Sequence, residues 1–293
     1  MKIREYLLKI IISYVTFLSS IFADVYDVSK AFKVKFKLKS GCLNMYLLSQ
    51  NYITLSLLAA FLISFFSCKY VIRFANKFFR AKSVNVGSGL FFAPIIMLLF
   101  MPIMINEFGK YQESLCLSFI MFGSAAAMLV GFLDDKAYFT DKARLVAYLV
   151  LTSVPVFLLP QVFPAIPYIL EKIILVLAWT GFIKLYNYMY QQDGYIILQA
   201  LATSFVLSIV IPLFAPLYLT IALVMLGFLR VSLPISNTKI PTGNIGVTFL
   251  SYLLGGLMLV SLTIDAMIIS ALFAVIIALS VIILYARHKL LTK

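Results

Sequence analysis

Long apolar runs recur along the chain after Met45 and constrain its fold more than any other feature. Crossing about 30 Å of hydrocarbon takes about 20 mostly apolar residues in a helix. Polar breaks separate apolar runs of roughly this kind, which lie near residues 47–68, 87–105, 114–133, 145–160, 167–186, 195–214, 216–230, 245–263 and 267–286. Pro212 and Pro216 predict a tight turn inside the longest apolar stretch. The sequence therefore predicts an all-α, polytopic integral membrane protein with nine core transmembrane helices.

The composition agrees with this class and excludes several others. Hydrophobic residues make up 63% of the chain and charged residues 12%, whereas about a quarter of the residues in soluble domains are charged. The formal charge of +13 is typical of a basic membrane face opposed to anionic lipid, so no nucleic-acid partner is expected. Three separated cysteines and one histidine cannot assemble a zinc or haem site.

The distribution of Lys and Arg among the polar breaks predicts the orientation. The odd-numbered breaks, the span ends beside them and the C-terminal residues contain fourteen Lys and Arg residues, whereas the even-numbered breaks and the span ends beside them contain two, Lys110 and Lys172. Basic loops tend to stay in the cytoplasm, so the odd-numbered breaks are predicted to be cytoplasmic. All the breaks that carry candidate chemistry then lie on one side of the membrane, where they could converge on one site.

Residues 1–44 precede the first clean apolar span and are predicted to form a separate N-terminal extension. They have a basic start and an apolar run that ends before Asp24, which is typical of a signal peptide or of one extra span. A third interpretation is that the functional chain begins at Met45. Residues 45–293 are predicted to form one membrane domain, since no internal repeat or linker divides them.

Two adjacent carboxylates, Asp134 and Asp135, directly follow about twenty apolar residues. Carboxylates at membrane depth cost free energy and therefore point to function. Such a pair can hold Mg²⁺ (or Mn²⁺) and leave the other coordination positions to water and substrate phosphates. Lys142 and Arg144 could neutralise those phosphates. The structural alternative is an acid pair held by ion pairs with these basic neighbours.

Three other breaks carry residues suited to binding phosphate. The glycines of NVGSGL, residues 85–90, let the backbone approach a phosphate, although a basic loop that only fixes topology has the same composition. Asn187 ends one span and Asp193 begins the next, where the alternative is a plain Asp-Gly turn. The fourth break carries three candidates directly before a span: Lys239, Gly243 and Asn244. That helix start could bind an anion, or Asn244 could be its cap.

Three segments, taken in chain order, carry a resemblance to a known family. Gly131–Arg144 has a glycine, two hydrophobic residues and two aspartates, with basic residues after them. Leu185–Gly194 is similar to an N-F-M-D-G-x-D-G pattern, and Lys239–Gly246 is similar to a K-I-F-M-G-D-x-G pattern. Together they resemble the polyprenyl-phosphate N-acetylhexosamine-1-phosphate transferases of glycosyltransferase family 4, bacterial enzymes that initiate lipid-linked cell-envelope glycans. The resemblance covers roughly Tyr46 to Lys289.

The resemblance implies a transferase that moves N-acetylhexosamine 1-phosphate, with N-acetylglucosamine as the leading sugar, from its UDP derivative to undecaprenyl phosphate and releases UMP. The implied cofactor is Mg²⁺ or Mn²⁺. The implied location is the bacterial inner membrane, with the active face in the cytoplasm. The resemblance is also compatible with a homodimer. The implied catalytic and metal-binding residues are Asp134, Asp135 and Asp193. The implied substrate-binding residues are Asn187, Lys142, Arg144, Lys239, Gly243 and Asn244.

Several positions depart from the family pattern and support a second expectation. Tyr190 stands where the first aspartate of the N-F-M-D-G pattern would align, and Asn244 replaces the aspartate of the third segment. The sequence stops near His288, about where the family begins a histidine-rich loop. A loop shift that brings in Asp193 would repair the first change. Otherwise the chain is expected to be a C-terminally truncated relative that keeps the fold, and lipid or partner binding, without catalysis.

Overall fold

The computed structural model describes residues 56–67, 88–104, 113–135, 139–189, 195–232 and 242–277, and every regular element in these ranges is a helix. A helix pairs its backbone N–H and C=O groups within one segment, as the bilayer interior requires. The α-helices are α1 (Ser56–Ser67), α2 (Gly89–Ile103), α3 (Glu113–Asp135), α4 (Asp141–Leu158), α5 (Tyr168–Met189), α6 (Tyr195–Val210), α7 (Ala215–Ser232), α8 (Gly243–Ser261) and α9 (Ala266–Ile277). The predicted all-α class is confirmed for this part of the chain.

The described helices fall where the sequence predicts membrane spans, one in each predicted apolar run. Within the described ranges, three stretches are long and apolar enough to cross a membrane: Leu115–Asp135, Pro212–Leu229 and Gly243–Ser261. Four apolar helices are shorter: Ser56–Ser67, Gly89–Met101, Tyr195–Val210 and Ala266–Ile277. The chain is therefore a helical membrane protein, and the crossing of the membrane by all nine spans stays a prediction. The N-terminal extension, residues 1–44, lies outside the described residues.

The turn predicted from Pro212 and Pro216 is present. α6 ends at Val210, a 3-10 helix covers Pro212–Phe214, and α7 begins at Ala215. Proline lacks an N–H and interrupts helical hydrogen bonding, but it fits the first turn of a helix, which is where Pro216 lies. α6 and α7 therefore pack against each other as two helices.

Helix α8 lies at the centre of the bundle. All of its residues except Asn244 are buried, and α2 to α6 each contact it. Glycines let large neighbours approach, since a Cβ atom at Gly255 would lie 2.5 Å from the Trp179 ring. The indole N–H of Trp179 donates to the carbonyl oxygen of Tyr252 at 3.1 Å. These contacts fix α8 in the bundle and give the residues at its start defined positions.

A buried ion pair closes the connection between α4 and α5, at what we call the Lys172 end of the bundle. The side chains of Lys172 and Glu171 are 0% and 1% exposed, and Nζ lies 3.2 Å from Oε1. Lys172 also donates to the carbonyl oxygens of Leu159 and Pro160 at 2.8 and 2.9 Å. Glu171 accepts hydrogen bonds from two N–H groups of the loop at 3.1 and 2.8 Å. Because both charges are paired and hydrogen-bonded, the protein can bury them.

Candidate functional site

The beginnings of α2 and α8 meet at the opposite end of the bundle, which we call the Asp135 end. The N–H of Gly89 donates to the carbonyl oxygen of Thr242 at 3.0 Å. A Cβ atom at Gly89 would lie only 2.2 Å from the backbone of Gly246. Two backbones can approach this closely only where side chains are absent. The glycine-containing segments of the first and fourth predicted cytoplasmic breaks are therefore in contact.

The end of α3 packs on the same helix start. A Cβ atom at Gly131 would lie 2.6 Å from the carbonyl oxygen of Asn244. One turn further along α3, Oδ1 of Asp135 accepts a hydrogen bond from the backbone N–H of Asn244 at 3.3 Å. The second and fourth candidate segments therefore contact each other through Gly131 and Asp135.

Asp135 provides the acceptor that the start of α8 lacks in its own sequence. α8 begins at Gly243, whose φ of 73° suits glycine. The side chain of the preceding Thr242 makes no capping hydrogen bond. The first N–H groups of a helix need acceptors and favour negative charge, and the Asp135 carboxylate meets both needs. The interpretation of Asn244 as the side-chain cap is wrong, because Asn244 lies inside the helix and contributes its backbone N–H.

Asp134 contacts α4 rather than α8. Its Oδ2 atom forms an ion pair with Nη1 of Arg144, and Nη2 of Arg144 contacts Asp141 at 2.5 Å. Burial alone would lower the pKa of Arg144, but the hydrogen bond and charge of Asp134 outweigh it, so the pKa is raised above its usual value. Lys142 is exposed. The ion pair that the sequence suggests as a structural alternative is therefore present for Asp134, through Arg144.

A buried hydroxyl joins the third candidate segment to this cluster. The amide of Asn187, near the end of α5, donates from Nδ2 to the hydroxyl of Tyr148 at 3.2 Å. That hydroxyl also lies 3.4 Å from Oγ1 of Thr248, one turn after Asn244 in α8. Tyr148 is not among the site residues predicted from the sequence, since it lies in a predicted apolar span. Its spacing of four residues from Arg144, which puts both on one face of α4, is the signal that could have found it.

Four polar atoms at the Asp135 end are buried without a hydrogen-bond partner among the described residues: Oδ2 of Asp135, Oδ1 of Asn187, Oγ of Ser88 and Nε of Arg144. A buried polar group that is left unpaired costs free energy. A donor or cation carried by a ligand would satisfy the two acceptor oxygens. This end of the bundle therefore has unused capacity to bind a polar ligand.

Part of the predicted site lies outside the described residues, namely Asp193, Tyr190 and Lys239. Within the ranges that the structure describes, no group of three or more His, Cys, Asp or Glu residues could hold a metal ion. The acid pair is also divided, since Asp134 contacts α4 and Asp135 contacts α8. Among the described residues, a cation could therefore bind to two carboxylates, and each of these already has a different partner in the protein.

Replacing Tyr148 with phenylalanine is expected to lower the free energy of unfolding by about 1 to 2 kcal/mol, because the Asn187 amide loses a buried partner. The thermal unfolding midpoint of the purified protein in detergent measures this effect. Tyr188→Phe, at an exposed position of α5, is the matched control and should leave the midpoint unchanged. Equal midpoints for Tyr148→Phe and the wild type would show that the hydroxyl bridge does not stabilise the protein.

No family model and no curated protein matches this chain. The resemblance of the three segments to the polyprenyl-phosphate transferases therefore stays a prediction. The residues that meet at the Asp135 end are the features of the described structure that bear on function.

Proposed function

We propose that this protein is a membrane-embedded phospho-sugar transferase. It would move N-acetylhexosamine 1-phosphate, with N-acetylglucosamine as the leading sugar, from a UDP-sugar to undecaprenyl phosphate at the cytoplasmic face of the bacterial inner membrane. The product would be a lipid-linked precursor of a cell-envelope glycan. The observation that carries the proposal is the meeting of residues from all four candidate segments at one end of the bundle.

The contacts at the Asp135 end support phosphate chemistry. Asp135 holds the start of α8, and the nearby Gly89 and Gly246 bring the beginnings of α2 and α8 into close backbone contact. Helix beginnings carry partial positive charge and favour phosphate groups. The unpaired oxygens of Asp135 and Asn187 are acceptors for hydroxyl or amide donors such as those of a nucleotide sugar.

The proposed reaction is a displacement at phosphorus. An oxygen of the polyprenyl phosphate bonds to the β-phosphorus of the UDP-sugar, and the bond from that phosphorus to the bridging oxygen breaks. The electron pair stays on the bridging oxygen, and UMP leaves. A carboxylate at Asp134 or Asp135 would orient the lipid phosphate and accept its remaining proton. Positioning and charge stabilisation supply most of the catalysis in such reactions.

The residues of the acid pair fit a divalent cation in part. Mg²⁺ is usually held through one or two carboxylates, with water and substrate phosphates completing the coordination. The buried Oδ2 atom of Asp135 has no partner among the described residues and would be the first ligand, while Asp134 would contribute after separating from Arg144. Asp193 would be a third ligand if a loop shift lets it replace the aspartate of the family pattern that Tyr190 has displaced. When bound, Mg²⁺ or Mn²⁺ would offset the charge of the crowded phosphates.

A second candidate function is favoured by the pairing of both carboxylates within the protein. Asp134 is neutralised by Arg144, and one oxygen of Asp135 is used by α8. A site arranged in this way is stable without a substrate or a metal. The second candidate is therefore a relative that keeps the fold and binds a lipid phosphate or a protein partner without transferring a sugar phosphate.

The test uses purified protein in lipid nanodiscs with UDP-N-acetylglucosamine, undecaprenyl phosphate and Mg²⁺. UMP, measured by liquid chromatography, is expected only when both substrates and the cation are present. UDP-N-acetylgalactosamine in a parallel reaction tests the choice of sugar. Folded protein that binds undecaprenyl phosphate but releases no UMP from either donor would overturn the transferase proposal and support the second candidate.

A further inference from the structure

Arg144 connects the acid pair to α4 through two carboxylates. Its Nη1 atom pairs with Asp134 at the end of α3, and its Nη2 atom pairs with Asp141 in the first turn of α4. One planar guanidinium can bind two acceptors in this way because its five N–H donors have fixed directions. The ends of α3 and α4 are therefore held together by a single side chain.

The two ion pairs differ in how well they are shielded from water. The side chains of Arg144 and Asp134 are 20% and 12% exposed, whereas that of Asp141 is 86% exposed. Water and salt screen exposed pairs strongly, while buried pairs are screened much less. Asp134 is therefore the main partner of Arg144, and Asp141 is a secondary one.

A guanidinium and a divalent cation compete for the carboxylate of Asp134. The Nη1 atom is bonded to Oδ2 of Asp134, and a Mg²⁺ ion on a carboxylate sits about 2.0 to 2.1 Å from its oxygen. Two positive charges at such separations repel each other. Arg144 therefore opposes the binding of a divalent cation to Asp134, most strongly at this oxygen.

We propose that Arg144 is the resident cation of this site, a positioning residue that holds the Asp134 carboxylate and competes with divalent cations for it. This inference rests on the proposed function, since it concerns the cation used there. The neighbouring Oδ2 atom of Asp135 has no partner in the described part of the chain, so Asp135 is the carboxylate that meets a cation first. Arg144, once released, would be free to pair with a phosphate oxygen of the substrate.

The test measures Mn²⁺ affinity directly, by electron paramagnetic resonance of free Mn²⁺ mixed with purified protein and no substrate. Arg144→Gln is expected to bind Mn²⁺ roughly tenfold more tightly than the wild type, which corresponds to about 1.4 kcal/mol. Lys142→Gln is the matched control, because it removes one positive charge at an exposed site two residues away. It should change the affinity by less than about twofold, the size expected of an exposed charge.

A double substitution tests whether the effect acts through Asp134. In Asp134→Asn protein, the further change Arg144→Gln should leave Mn²⁺ affinity unchanged. If Arg144→Gln does not fold, Arg144→Lys replaces it in the test. Lysine keeps the positive charge but cannot bind two carboxylates with one planar group, so this variant should bind Mn²⁺ about threefold more tightly than the wild type.

Three results would overturn the inference: equal gains from Arg144→Gln and Lys142→Gln, no gain in a folded Arg144 variant, or no Mn²⁺ binding by any variant. None of these results depends on sugar transfer. Failure of UMP release with a tenfold gain in Mn²⁺ affinity would instead count against the proposed function alone.

Discussion

The Gly131→Ala protein is expected to be less stable than the wild type by about 3 kcal/mol, the upper part of the usual cost of overpacking a core. The added Cβ atom would lie 2.6 Å from the carbonyl oxygen of Asn244 and 2.9 Å from its carbonyl carbon. These are backbone atoms at the start of the central helix, so no flexible side chain can move aside. The change would push α3 away from α8 and stretch the hydrogen bond from Asn244 to Asp135.

Gly181→Ala is the matched control for this prediction. Gly181 is also inside a helix, α5, but a Cβ atom there would meet nothing within 4 Å. Alanine favours a helix over glycine by about 1 kcal/mol, so this variant should be as stable as the wild type or slightly more stable. The two variants are compared by thermal unfolding in detergent, with the fraction of monodisperse protein as the readout. Equal midpoints would contradict the close packing of α3 on α8.

The Asp135→Asn protein is expected to release UMP at least about 100-fold more slowly than the wild type, the scale found when one electrostatic group is removed from an active site. Asparagine keeps an oxygen that can accept the N–H of Asn244, so the start of α8 keeps its hydrogen bond. Losing the negative charge at a helix start should cost less than about 1 kcal/mol of stability. A large loss of activity with a small loss of stability would separate catalysis from helix capping.

Asp265→Asn is the control for that experiment. Asp265 is exposed, and its Oδ1 atom accepts the N–H of Ile268 at 3.1 Å, at the start of α9. It therefore shares the local capping role of Asp135 but lies outside the cluster of candidate segments. Its UMP release should equal that of the wild type. If Asp135→Asn also retained full activity, Asp135 would have only the structural role.

The positions of the helices could be predicted from the sequence because the bilayer restricts the choices. An apolar run bounded by polar breaks becomes a helix in lipid, and Pro212 and Pro216 interrupt one such run wherever it lies. The Arg144 partner of Asp134 was also predictable, because the two residues are ten apart in a short connection. These predictions depend on local sequence alone.

The tertiary contacts of the site could not be predicted in the same way. Asp135 and Asn244 are 109 residues apart, and nothing in either segment indicates that one caps the other. In the sequence, Tyr148 is one more residue of an apolar span. Only the structure shows that its hydroxyl contacts Asn187 and Thr248. In the sequence, Lys172 is a charged residue beside a loop. In the structure that loop folds back, and two of its carbonyl oxygens accept hydrogen bonds from the buried ammonium group.

In the proposed reaction a sugar phosphate, rather than a sugar alone, moves to the lipid. The most direct measurement uses UDP-N-acetylglucosamine with different radioactive phosphorus isotopes in its α- and β-phosphates, incubated with the purified protein, undecaprenyl phosphate and Mg²⁺. The proposed reaction predicts that the β label enters the organic phase with the lipid while the α label stays in water as UMP. Recovery of both labels in the aqueous phase, whether as UDP or as unreacted substrate, would contradict it.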